Sequence, residues 1–218
     1  MENQIIEMEA PKDKILTISR KENIYDNMGI SIEILPNNNY LLGIHEIDLD
    51  LYQQPNRTNY KLEEIINTSV FPIFVAPTKN YYLTPGVGYI GISTKTEIDK
   101  EGNIIESETK RNIIELEENL SYDNVNKILK NKPVPEKYES YIHMIENLKE
   151  LVEVYNRKNN RYNFFTAPNE IEIIKKEDYY EANIPYTSPA YKLLAELYEI
   201  PFEAEKKLKI RQKNLKLR

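Results

Sequence analysis

The sequence predicts an α+β fold, a largely antiparallel sheet flanked by helices and closed by a long C-terminal helix. Three observations predict it. Short β-branched runs separated by polar turns occupy the first part of the chain: Ile15, Leu16 and Ile18, then Ile30, Ile32 and Ile34, then Tyr40 to Asp48. Residues 90–98 and part of 104–116 alternate apolar with polar on either side of Asp99-Lys-Glu-Gly102-Asn, which is hairpin-turn chemistry. From residue 121 onward the apolar spacing is mostly that of helices.

Taken in order, residues 1–12 are acidic and polar and read as a short arm. Residues 13–205 form one domain, and 206–218 a basic helical tail. The first two strands flank a polar loop, and Pro36-Asn-Asn-Asn39 turns the chain into the third. Residues 49–60 read as a loop, and Lys61 to Asn67 as a short helix with Leu62, Ile65 and Ile66 on one side. The two alternating runs make a long hairpin. Ser121 is the expected N-cap of a helix whose buried stripe is Tyr122, Val125, Ile128 and Leu129. Asp123 in its first turn suits the helix dipole. Pro133 and Pro135 break the chain, and Glu136 to Asn160 follows as the strongest helix. It buries Tyr141, Ile145, Leu148, Leu151, Val152 and Tyr155, while His143 sits at or near the surface. A strand with Ile171 and Ile173 inward follows, then a final helix starting at Pro189.

Composition narrows the functional classes. With 40% hydrophobic and 29% charged residues, the 218-residue chain is of the soluble globular class. It carries neither a transmembrane-length apolar run nor a signal-peptide pattern, so a membrane role is not expected and the cytoplasm is the default location. There is no cysteine, hence neither a disulfide nor a thiolate metal site. His45 and His143 lie far apart without ligands at zinc spacing. Asn119-Leu-Ser is a glycosylation sequon by pattern only. The net charge of −6 is unevenly placed. Residues 206–218 hold seven positives and no acid, leaving 22 basic against 35 acidic residues elsewhere, or −13. Such a tail is either a solvated helix end or a binder of RNA or a partner.

Thr17 to Ile32, with the strand Tyr40 to Asp48 behind it, resembles the opening of the catalytic domain of the RNB family, exoribonucleases of the ribonuclease II and ribonuclease R type. The family pattern runs T-I-D, a spacer, D-x-D-D-A-x-S-V with x apolar, then a strand ending H-I-A-D. Thr17-Ile18, Gly29 to Ile32, and His45 with Asp48 match it. Further matches follow in order. Thr68-Ser-Val-Phe71-Pro resembles T-S-V-Y-L-P, and Tyr122-Asp123 falls in L-T-Y-D-E-V. Arg157 to Arg161 resembles R-R-x-x-R-G, and Ser188 to Tyr198 resembles S-x-A-H-K-L-I-E-E-F-M. The resemblance covers residues 13 to about 207 and the first half of a typical RNB domain.

The resemblance implies an RNB-like half-domain whose chemistry is degenerate. The family's carboxylates hold magnesium, which activates water and stabilises charge on the phosphate. Their four places here hold Ser19, Tyr25, Asn27 and Met28, with Asp26 one step off and Asp48 at the match. Tyr and Met are poor magnesium ligands, so no catalytic set, metal or cofactor is expected. If the chain were active, magnesium would be the cofactor, held by Asp26, Asn27 and Asp48. The family's E-L-S-x-x-L-C-S-L loop is missing as well. Candidate RNA contacts are Phe71, Arg157, Lys158, Arg161, Lys206, Lys207, Lys209 and Arg211. Phe71 can stack on a base, but it reads first as a core aromatic in a strand-like run. A half-domain is also expected to leave its last helix uncovered, exposing Leu193, Leu194, Leu197, Leu208, Ile210, Leu215 and Leu217 to a partner or a second copy. The expected function is therefore a non-catalytic protein that binds RNA or a protein partner. The alternatives are a magnesium-dependent exoribonuclease working from the three-prime end and a structural, self-associating protein.

Overall fold

The computed structural model describes residues 13–20, 28–48, 82–161, 172–175, 180–183 and 188–216. Five strands dominate it: β1 (Ile15–Ser19), β2 (Met28–Ile34), β3 (Tyr40–Ile47), β4 (Gly88–Ile98) and β5 (Ile104–Ser121). Three helices follow, α1 (Tyr122–Leu129), α2 (Ile142–Lys158) and α3 (Pro189–Lys216). A two-stranded ribbon, β6 (Glu172–Lys175) with β7 (Tyr180–Asn183), stands apart from the main sheet. The predicted α+β class holds. Among the described residues, no helix is long and apolar enough to cross a membrane.

The sheet closes into a barrel in the order β1-β2-β3-β4-β5, which the alternation pattern did not reveal. The reason is the length of β5. Its first part pairs antiparallel with β4, from Ile98↔Ile104 to Gly88↔Glu115. Its last part, Leu116 to Ser121, runs parallel to β1, where a hairpin ending at residue 116 was expected. The register shifts between Ile15↔Leu116 and Leu16↔Glu118, leaving Glu117 as an extra residue. Such a bulge bends a strand and helps a sheet curl shut.

The turns follow the residues at them. Asn38 takes a positive φ of 65° in the turn after Pro36, and its N–H donates to the Leu35 carbonyl at 2.8 Å. At the β4–β5 turn Gly102 has φ 83°, and Asp99 Oδ1 accepts from the N–H groups of Glu101 and Asn103 at 3.0 and 2.7 Å.

Side chains alternate between the two faces of the barrel wall. Leu16, Ile18, Ile30, Leu42 and Ile44 share one buried cluster with the helices. Ile15, Ile47 and Ile114 lie on the opposite face with Leu83, Tyr89 and Leu116, the face a closed barrel turns inward. A five-stranded barrel is narrow, so small residues recur inside. A Cβ on Gly29 would lie 2.4 Å from Ile15 Cγ2 and 3.2 Å from Leu83 Cδ1.

The helical layer starts where predicted. Ser121 Oγ accepts the Asn124 N–H at 3.3 Å and caps α1. The expected helix 136–160 divides into a 3-10 turn, Glu136–Tyr141, and α2. All six of its predicted core residues are buried. The exposed apolar face predicted for α3 is corrected by the structure. Leu193 and Leu197 are fully buried and Leu194 nearly so, because α1, α2 and the strands β4 and β5 pack on this helix and bury them with Ile200 and Ala204. Leu208 is partly buried against the same core. The chain's own helices and sheet thus bury the stripe for which a partner was invoked. The side chains of Ile210 and Leu215, and Leu217 altogether, lie outside the description. So do the predicted helix at 61–67 and the 68–77 segment with Phe71.

Candidate functional site at the barrel rim

β1, β3 and β5 end at the rim where β2 and β4 begin, because each barrel neighbour except the β1–β5 pair is antiparallel. That rim gathers Ser19, Met28 and Asp48, three of the sequence-predicted positions. Tyr25, Asp26 and Asn27 fall between β1 and β2 in the chain and lie outside the described residues.

Each placed residue has a partner the sequence did not point to. Ser19 Oγ donates to Asn119 Oδ1 at 3.2 Å, and Thr17 Oγ1 donates to the same oxygen at 2.8 Å. All three residues are buried. The parallel β1–β5 pairing sets Thr17 opposite Asn119, so barrel closure creates this junction. Met28 packs against the main core. The Asp48 side chain is only 1% exposed, and Arg111 Nε donates to its Oδ2 at 2.6 Å. A charge-assisted bond of this length fixes the carboxylate toward the guanidinium. Arg111 sits in β5 opposite Ile92, one strand removed from Asp48. Its only signal in sequence was a positive charge within an alternating run. Asn119 appeared only as part of a sequon.

A second polar assembly lies deeper in the barrel. Ser31 Oγ is 2.7 Å from His45 Nε2, His45 Nδ1 is 2.7 Å from Ser93 Oγ, and Ser93 Oγ donates to Asn112 Oδ1 at 2.8 Å. The chain of bonds fixes the tautomer. Ser93 commits its proton to Asn112, so its oxygen accepts from Nδ1–H, and Nε2 accepts from Ser31. His45 has no exposed surface. Burial pushes its pKa down to about 4, against the pull of the Asp13 carboxylate, and Lys95 adds to the fall. His45 is therefore neutral at neutral pH. Beside it, Asp13 and Lys95 pair at 2.8 Å in a cleft of about 270 Å³ that also takes in Ser31, Glu33, Met144 and Asn147. His143, by contrast, is exposed, as expected.

Phe71 lies outside the described residues; the other predicted RNA contacts belong to the end of α2, the residues just after it and the later turns of α3. Arg157 and Lys158 are exposed. Arg161 turns inward: Nη1 donates to Glu196 and Glu199 at 3.2 and 3.0 Å, and Nη2 pairs with Glu203. Tyr155 donates to the other Glu203 oxygen at 2.5 Å, and burial with the nearby carboxylate raises its pKa. Lys207 Nζ donates to Asn159 Oδ1 at 2.7 Å. Lys209 pairs with Glu205 on the surface, and Lys206 Nζ stands 4.0 Å from the Phe202 ring centroid. Arg211 lies on α3, with its side chain outside the description. The helix runs unbroken through 205–206, where the tail was expected to begin.

Comparison with known proteins agrees with this architecture. The model of the RNB domain matches residues 12–200. Ribonuclease R of Thermotoga maritima is 28% identical over 152 residues, which is 66% of this chain and 21% of that protein. Mycoplasma genitalium RNase R in complex with ribose-methylated single-stranded RNA superposes with a TM-score of 0.60 at 18% identity, over 85% of this chain and 31% of the other. Yeast Ssd1, described as a pseudonuclease, superposes with a TM-score of 0.56 at 14% identity, over 85% and 23% of the two chains. This chain thus spans about a fifth to a third of the length of these relatives. By the extent of the domain match, the chain belongs to the RNB family.

Proposed function

We propose that this protein is a non-catalytic member of the RNB family that binds RNA without degrading it. The observation that carries the reading is the Asp48–Arg111 pair. Asp48 is the carboxylate that matches the family's strand motif, and a guanidinium 2.6 Å away already takes up its oxygen. A hard divalent cation needs several free anionic oxygens, and a neighbouring fixed cation opposes its binding. Ser19 and Met28 occupy two further carboxylate places, the first hydrogen-bonded to Asn119 and the second packed on the core. Ser19, Met28 and the Arg111-paired Asp48 do not fit magnesium. The likeness to a pseudonuclease supports the non-catalytic half of the proposal, and the likeness to an RNA-bound relative supports the RNA half. A cytoplasmic location fits RNA as partner and a chain without cysteine.

The test is decay of a five-prime-labelled single-stranded RNA with magnesium, read on the same samples as RNA binding, with Asp26→Ala as control. Intact RNA in a retarded complex is the expected result. Stepwise shortening that vanishes in Asp26→Ala would make this a working exoribonuclease with rebuilt ligands. Neither shortening nor binding would leave the structural, self-associating alternative.

A further inference from the structure

We infer that the outer face of α3 around Phe202 and Lys206 is a single-stranded RNA site, with a base stacked on the phenyl ring and phosphates on the lysines beside it. The inference rests on the RNA-binding reading above and adds a place and a mode. Phe202 is 60% exposed, the most exposed large hydrophobic side chain among the described residues. The helix wheel explains its position. At about 100° per residue, Phe202, Lys206 and Lys209 fall within about 60° of one another. Leu197, Ile200 and Ala204 form the opposite, buried face. Glu196, Glu199 and Glu203 lie on a flank and are drawn to Arg161. Of the carboxylates near the ring along the helix, Glu199 and Glu203 pair with Arg161, and Glu205 pairs with Lys209.

Lys206 Nζ lies over the Phe202 ring, 4.0 Å from its centroid, so an exposed ring face already accepts a cation from solvent. A base placed there would displace the ammonium onto the adjoining phosphate, giving each half of a nucleotide its own side chain. Lys209 pairs with Glu205, but both are exposed, and such a pair exchanges readily for a phosphate. Charge complementarity selects the occupant. Residues 206–218 carry seven positives and no acid against −13 on the remainder, so a polyanion is repelled by the body and drawn to this end of the molecule. A duplex hides its base faces in the stack, so the ring favours a single strand.

The experiment is fluorescence anisotropy of the full chain with a labelled oligouridylate of about 12 nucleotides and a duplex of like length. Phe202→Ala, Phe202→Trp and Lys206→Gln are compared with the parent protein, each checked for an unchanged thermal melt. The expected result is roughly tenfold weaker single-strand binding in Phe202→Ala, retained in Phe202→Trp. Lys206→Gln should flatten the dependence of log affinity on log salt by about 0.7. Single-strand binding that persists unchanged in Phe202→Ala overturns this site and leaves the RNA-binding reading standing. A parent protein that binds neither RNA at low salt overturns both. Unchanged RNA affinity with a smaller oligomer in Phe202→Ala assigns the face to a protein contact and also overturns the site.

Discussion

His45 makes the stability of the barrel depend on pH in a calculable way. Its ring is wholly buried, bonded at both nitrogens to serine hydroxyls, and neutral in the fold. Its pKa falls from 6.5 to about 4 on folding. The unfolded chain therefore takes up a proton near the ordinary value while the folded chain resists it. The contribution is complete above pH 6.5, is lost as pH falls from there to about 4, and is constant below both values. At about 1.4 kcal/mol per pH unit, the loss is about 3 kcal/mol. That is a large part of a typical domain stability of about 5–15 kcal/mol. Replacing His45 with Gln keeps a polar side chain in the cavity and removes the titration. The variant should be less stable at neutral pH by about 1–3 kcal/mol, since an amide cannot reproduce both serine bonds in the same geometry. Its stability should fall less steeply on acidification. The assay is urea unfolding of both proteins at several values between about pH 7 and pH 4, taking the difference so that carboxylate titration common to both cancels. Parallel pH profiles would refute the reasoning and mean that His45 can be protonated inside the barrel.

Three further outcomes are expected. Gly29→Ala places a methyl 2.4 Å from Ile15 Cγ2 and should cost about 1–3 kcal/mol by thermal unfolding; a neutral result would mean that β1 and β2 separate easily. Arg161→Gln leaves Glu196, Glu199 and Glu203 facing one another and should destabilise by about 1–3 kcal/mol at low salt, less in high salt, in paired melts; an effect indifferent to salt would show that packing, not charge, holds α2 to α3. Arg111→Met should cost about 1–3 kcal/mol, discounted because the guanidinium is 46% exposed, by removing the guanidinium from a buried carboxylate. Adding Asp48→Asn should recover part of it, and a double-variant cycle that shows no coupling would dissolve the pair as a unit.

Some positions at the candidate rim were legible in residue identities. Ser19, Met28 and Asp48 were placed by motif position, and the structure brings all three to one rim because alternate strands end there. Their partners were not legible. Asn119 and Arg111 lie 100 and 63 residues from Ser19 and Asp48, and nothing local marks them as neighbours. Arg161 reads as a free cation at a helix end, yet three glutamates of a later helix claim it. Sequence shows a charge but not the partner that a fold brings to it.

The sequence by itself determined the local elements: three strands by their β-branched runs, β4 and the first part of β5 by alternation, the turns at Asn38 and Gly102, the Ser121 cap, and the buried stripe of α2. These depend on contacts within a few residues, where side-chain chemistry restricts the backbone directly. Tertiary structure decided the rest. The barrel closes because β5 is long enough to serve two neighbours and because Glu117 bulges, a property of pairing rather than of any one strand. The leucines of α3 are covered because α1, α2 and the sheet pack on that helix, although the helix pattern alone shows only an apolar face seeking a cover. An amphipathic stripe specifies that something must bury it, and only the packed fold specifies what.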